Sequence, residues 1–204
     1  MILYVASGNK GKLQEFLLAA ERLNIPDLII EVLPGLTAIP PPEENGSTFQ
    51  ENATAKAIYY SQFTTEYVIA DDSGLEVDAL QNAPGVHSAR YAGPHASDSD
   101  NNKLLIANLA GISSRSARFV CYIAVARQKR VQFVARGTVE GEILPERIGT
   151  NGFGYDPLFF YPPLQRSFGE LSSAEKLTVS HRGNAIRDLF QSIAGQATTF
   201  GSTS

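Results

Sequence analysis

The chain opens with a β-prone run, Ile2 to Ala6, broken at once by Ser7-Gly8-Asn9 and followed by apolar residues at helical spacing. Those residues are Leu13, Phe16, Leu17, Ala20 and Leu23, and they predict a helix over Lys10 to Leu23. A buried strand feeding an amphipathic helix through so short a turn is the start of a chain that packs helices on a sheet. The later segments keep that rhythm. Leu28 to Leu33 reads as a second strand, and Pro34 to Gly46 as a Pro-rich loop. Ser47-x-x-Gln50 resembles a capping box that opens a helix through about Ser61. Tyr67 to Ala70 is the next strand, which Leu75 to Leu80 continues or pairs with. Asn82 to Ser99 is a long Gly/Pro/Asn loop before a helix near Asn101 to Leu109. Ala117 to Arg127 and Val131 to Leu144 read as an antiparallel hairpin, and Leu158 to Tyr161 as a short strand. Ser172-x-x-Glu175 caps a short helix, and Gly183 to Ala194 is the last one. With no repeat and no linker, the order predicts one α/β domain on a mixed sheet over residues 1–194, with 195–204 as a disordered tail.

Composition narrows the partners. At 204 residues, 43% hydrophobic and 19% charged, the chain can bury an ordinary core. A net charge of -4 argues against a nucleic-acid binder, which relies on a basic surface, yet a few local cations suffice for a small polyanion. The lone Cys121, inside Phe119-Val120-Cys121-Tyr122-Ile123, allows neither an intrachain disulfide nor a thiolate metal site. The apolar N-terminal run is too short for a secretion signal, and no run is long enough to cross a bilayer. The expectation is a soluble, cytoplasmic protein with no membrane partner.

Tyr67-Val68-Ile69 leads into Ala70-Asp71-Asp72-Ser73-Gly74, so the strand is expected to end on two carboxylates, a hydroxyl and a glycine. Successive strand side chains point to opposite faces, so only one of Asp71 and Asp72 serves a given site. A carboxylate there suits a hard cation such as Mg²⁺, which takes oxygen ligands and keeps waters and substrate phosphates in its shell. Taken alone, the segment is also ordinary turn chemistry.

Four other groups bear on it. Ser7-Gly8-Asn9-Lys10-Gly11-Lys12 combines small residues, a helix N-terminus and a point charge at Lys12, which together suit a phosphate, although the loop is neither a Walker A motif nor a Rossmann fingerprint. Glu44 precedes the second helix and can join Asp72 on a cation, while Lys56 within that helix can face a phosphate. Gly152-Phe153-Gly154-Tyr155-Asp156-Pro157 sets aromatics between glycines, which makes Phe153 a stacking plate for a planar base and Asp156 an acceptor for its edge. Lys176 and Ser180-His181-Arg182-Gly183 gather donors near the chain end.

Taken in series, these motifs resemble the non-canonical purine nucleoside triphosphate pyrophosphatases, the inosine/xanthosine triphosphate pyrophosphatase family. The matching pieces also include Glu15, Thr48-Phe49-x-Glu51-Asn52-Ala53, Pro84-Gly85-Val86-x-Ser88-Ala89-Arg90-Tyr91 and Glu175-Lys176, in order along nearly the whole chain. The resemblance implies an α/β fold with a mixed, curved sheet and flanking helices forming two lobes around a cleft, as a homodimer. It implies Mg²⁺-dependent hydrolysis of ITP, dITP and XTP to the monophosphate and pyrophosphate. It assigns nucleotide contacts to Ser7, Gly8, Asn9, Lys10, Gly11, Lys12, Ser73, Phe153, Gly154, Tyr155, Asp156, Lys176, His181 and Arg182. Asp72 would be the metal-linked acid or base, with Glu44 beside the metal, and Arg182 and His181 would offer donors to the O6 of the base. Two rivals stand beside this reading: a pyrophosphatase of modified pyrimidine nucleotides, and a nucleotide-binding protein without catalysis.

Overall fold

The computed structural model describes residues 1–23 and 28–200, with the side chains of 20, 23 and 194–200 outside the description. Seven strands form one sheet in the order β2-β1-β3-β4-β5-β6-β7. They are β1 (Ile2–Val5), β2 (Ile29–Val32), β3 (Tyr67–Val77), β4 (Ser116–Arg127), β5 (Arg130–Ile143), β6 (Phe159–Tyr161) and β7 (Arg166–Ser167). The helices are α1 (Lys10–Leu23), α2 (Phe49–Tyr60), α3 (Asp98–Asn108), α4 (Ser173–Val179) and α5 (His181–Phe200). β1 pairs in parallel with β2 and β3, while β5–β6 and β6–β7 are antiparallel, so the sheet is mixed as expected. Gln128 and Lys129, both at positive φ, join β4 to β5 in the two-residue turn that a tight antiparallel hairpin uses.

Several boundaries depart from expectation for physical reasons. β3 does not stop at the acidic pair. It runs on to Val77, with Ala70, Asp71 and Asp72 all buried in mid-strand and Leu75 and Val77 in the core. The box that opens α2 is Thr48 with Glu51, one residue later than Ser47 with Gln50, because Glu51 reaches back to the Thr48 backbone while the Thr48 hydroxyl accepts from Glu51 N–H. α3 starts at Asp98, earlier than expected, under a second box made by Ser97 and Asp100. The 82–99 loop contains a 3-10 segment, Gly85–Arg90. α5 begins two residues early, with His181 and Arg182 in its first turn. α5 also runs on to Phe200, so residues 195–200 of the expected tail are helical backbone, and only 201–204 lie outside the described residues.

The chain divides into two compact units, and β3, β4 and β5 each contribute to both. Unit 1 holds 1–72, 121–137 and 182–204. In it Ala53 and Ala57 of α2 meet Ala70 of β3 and Ala124 and Ala126 of β4. Alanines let the helix approach the sheet closely, and the same turns of α2 carry Asn52 and Lys56, four residues apart on one side. Unit 2 holds 73–120 and 138–181. Its core joins Leu75, Leu105, Leu109, Phe119, Ile143, Leu158, Phe159 and Phe168.

Candidate active site

Unit 1 contains an acid–base constellation built on β3. Strand alternation separates the two aspartates as expected. Asp71 takes Lys12 Nζ at 3.1 Å and the Arg182 guanidinium at 3.1 Å on Oδ2, and Arg182 also donates to Glu15. Asp72 takes Asn52 Nδ2 at 3.0 Å on Oδ2 and Lys56 Nζ at 3.4 Å on Oδ1. Lys56 Nζ in turn lies 2.7 Å from Glu44 Oε1, so Glu44 and Asp72 converge on one cation.

The electrostatics divide along the same line. Burial pushes the Asp71 carboxyl up, but Lys12 and Arg182 outweigh it and hold the group below the ordinary aspartate range. Burial dominates at Asp72, aided by Glu44 and opposed by Lys56 and Lys12, so that carboxyl lies above the ordinary range. Burial disfavours charge on Lys56, yet Asp72, Asp71 and Glu44 together raise its pKa. Cys121, buried beside Asp71, is pushed up by burial to about 12 and stays a neutral thiol.

The turn before α1 is organised by its own side chains. Ser7 Oγ accepts from Asn9 N–H at 3.3 Å, and Asn9 Oδ1 accepts from Lys12 N–H at 3.0 Å, the geometry of a helix N-cap. Gly8, Asn9 and Lys10 are exposed, and Gly11 and Lys12 half-buried. A helix start of this kind, with a lysine beside it, suits an anion.

Oxygen donors fit Mg²⁺ at Glu44 and Asp72, where a lysine ammonium already sits between the two carboxylates. Among the described residues no group of three or more His, Cys, Asp or Glu side chains could hold a metal ion.

Unit 2 contains an aromatic–cationic group. Lys176 is buried, with Nζ 2.6 Å from Asp156 Oδ2 and 4.4 Å from the centre of the Phe153 ring. Asp156 Oδ2 also accepts from Phe153 N–H at 2.8 Å, so this carboxylate fixes the loop from within. Gly152, at φ +76°, has no room for a side chain: a Cβ there would lie 2.0 Å from Asp156 Oδ2. Tyr155 is buried, and its hydroxyl donates to Ser88 C=O at 2.8 Å. His181 is buried and stacks on Phe119 with centroids 4.7 Å apart. Ser73 is half-buried on β3.

The structure thus brings together Glu44, Lys56, Asp71, Asp72, Lys12 and Arg182 in unit 1, and Phe153, Gly154, Asp156 and Lys176 in unit 2. Arg182, expected to present donors to a base, is fully enclosed, its guanidinium on Glu15 and Asp71. Asn52 was missed as a site residue, although it stands four residues before Lys56 on the helix that faces Asp72. Asp98 and Asn102 of α3 were also missed; both bond the backbone of Gly154, more than fifty residues away in sequence, and no local signal reveals that.

Comparison with known proteins adds a second line. The Ham1 family profile matches residues 3–192. A protein of Exiguobacterium sibiricum named dITP/XTP pyrophosphatase is 46% identical over 191 residues, covering 93% of this chain and 95% of its own. One of the same name from Acidobacterium capsulatum is 46% identical over 204 residues, 96% of this chain and 99% of its own. Among solved structures, the Ham1 protein of Staphylococcus aureus superposes with a TM-score of 0.84 at 40% identity, over 96% of this chain and 100% of that one. A HAM1 protein of Coxiella burnetii gives 0.85 at 39%, over 96% and 99%. A match over so much of both sequence and backbone makes this chain a member of the Ham1 family.

Proposed function

We propose that this chain hydrolyses dITP and XTP, and ITP with them, to the monophosphate and pyrophosphate, with Mg²⁺ as its metal. The observation that carries this reading is the convergence of Glu44 and Asp72 on one cation, in a chain 46% identical to proteins named for that activity. A homodimer is supported by the motif resemblance.

Each group has a part that its surroundings favour. Lys12 and the first turn of α1 take phosphate oxygens. Glu44 and Asp72 would hold Mg²⁺, which when bound would supply charge neutralisation at the phosphoryl oxygens and acidify water. Asn52 fixes Asp72 Oδ2, and Oδ1, which also faces Lys56 Nζ at 3.4 Å, would receive the proton of the attacking water. Water adds to phosphorus, the anhydride bond between the α- and β-phosphates breaks, and the electron pair leaves with pyrophosphate. Phe153, backed by the Lys176 cation, offers its ring to the planar base. Arg182 acts through Asp71, keeping that carboxylate charged and Lys12 in place.

The test is pyrophosphate release from dITP by Asp72→Asn and Glu44→Gln. Asp72→Asn is expected to lower turnover about 10²–10⁴-fold, the range for loss of a general base. Glu44→Gln is expected to raise the Mg²⁺ concentration needed for half-maximal rate. Turnover within a few-fold of wild type in Asp72→Asn, or an unchanged Mg²⁺ requirement in Glu44→Gln, contradicts the assignment.

A further inference from the structure

Gly154 stands between the proposed base plate Phe153 and the buried Tyr155, at φ +60°. Both of its backbone polar groups are held by side chains of α3. Asp98 Oδ2 accepts from Gly154 N–H at 2.7 Å, and Asn102 Nδ2 donates to Gly154 C=O at 2.9 Å. The same Nδ2 donates to Asp98 C=O at 2.7 Å, which ties the two clamping residues to each other. Asn102 is fully buried, and its Oδ1 has no hydrogen-bond partner among the described residues. An apolar side chain of the same size would avoid that unsatisfied acceptor, so the carboxamide is explained by what its donor does for Gly154. The neighbouring Asn101 treats a second loop alike, accepting from Ala92 N–H at 2.8 Å and donating to Ala89 C=O at 3.2 Å.

We propose that Asp98 and Asn102 are positioning residues that set the base-binding loop before substrate arrives, by fixing the two peptide groups that flank the Gly154 Cα. This rests on the reading of Phe153 as the base plate. Without the clamp, a glycine in open space, with nothing within 4 Å of where its Cβ would be, is free to sample other backbone conformations. The nucleotide then pays the ordering cost on binding, and the loss falls on KM and not on kcat.

Asp98→Ala is the variant of choice. Asp98 is exposed, and the Ser97–Asp100 capping box of α3 does not involve its side chain. Two readouts are taken on the whole protein. In the ligand-free protein, exchange of the Gly154 amide is expected to speed up about tenfold or more, the scale of losing a hydrogen bond to a charged acceptor. The Asn151 amide, bonded to Gly169 C=O at 2.8 Å, serves as the internal control and is expected to keep its rate. With dITP as substrate, KM is expected to rise about tenfold while kcat stays within about twofold. Asp98→Asn retains an oxygen acceptor and is expected to restore both readouts to within about threefold of wild type. Unchanged Gly154 exchange in Asp98→Ala, or Asp98→Asn as damaging as Asp98→Ala, overturns the positioning role. Accelerated exchange with an unaltered KM overturns the link to base binding. If wild type releases no pyrophosphate from dITP, the functional reading fails, and the exchange measurement still decides whether the clamp holds the loop.

Discussion

Asp71 is nearly sealed from solvent between Lys12 and Arg182, and its charge is what allows both cations to sit there. Removing one partner of a buried ion pair leaves the other uncompensated and costs about 3–5 kcal/mol. Lys12 retains some contact with water, which puts Asp71→Asn at the low end, about 3 kcal/mol at pH 7. The pH dependence follows from the direction of its shift. The folded carboxyl is held below its ordinary value, so the unfolded chain binds the proton more tightly, and the stabilisation is present above about pH 4. It is lost as pH falls from about 4 toward the folded value, so the urea midpoints of wild type and Asp71→Asn should keep their separation at neutral pH and converge as pH falls below about 4. A constant difference across that range contradicts the assignment. At this scale the sequence is informative: the period of two along β3 is enough to send Asp71 and Asp72 to different partners. It did not reveal that Asp71 anchors Arg182, because that contact spans 111 residues.

The loop between β5 and β6 shows how an element can be strict at one glycine and lenient at another. Gly152 and Gly154 are both left-handed, which costs a substituted alanine about 1–2 kcal/mol in either place. At Gly154 that is the whole cost, since a Cβ would enter open space. At Gly152 the Cβ would collide with the carboxylate that seats Phe153 N–H and Lys176. Gly152→Ala is therefore expected to lower the melting temperature at least twice as far as Gly154→Ala, as measured by calorimetry, and equal shifts contradict the packing described. The Gly-rich pattern marked this loop, and the Ser172-x-x-Glu175 box marked α4 correctly. Where several residues satisfy one pattern, as with Ser47 and Thr48, the start slips by one, and Ser47 still donates from Oγ to Glu51 at 2.9 Å. The end expected for β3 at Ala70 failed for a related reason, while the alternative that Leu75 onward continues the strand holds as far as Val77: acids and a glycine break exposed strands, but here partners from α1, α2 and α5 satisfy both carboxylates in mid-strand.

Across the whole molecule, the alternation of strands and helices carried the fold class, and the motif series carried the family. What stayed hidden was the support from Asp98 and Asn102, because each acts through a side-chain contact that leaves no periodic trace in its own segment, whereas Asn52 carried a trace in its spacing of four from Lys56. In the function proposed above, an acidic chain with net charge -4 gathers enough local cations to take a triphosphate and cuts it at one bond. Product analysis of the wild-type protein with dITP, XTP, dATP and dGTP in Mg²⁺ tests this most directly. The account predicts one pyrophosphate per monophosphate from dITP and XTP, far slower turnover of dATP and dGTP, and loss of activity in excess EDTA. Release of orthophosphate, equal rates on all four nucleotides, or full activity in EDTA would contradict it.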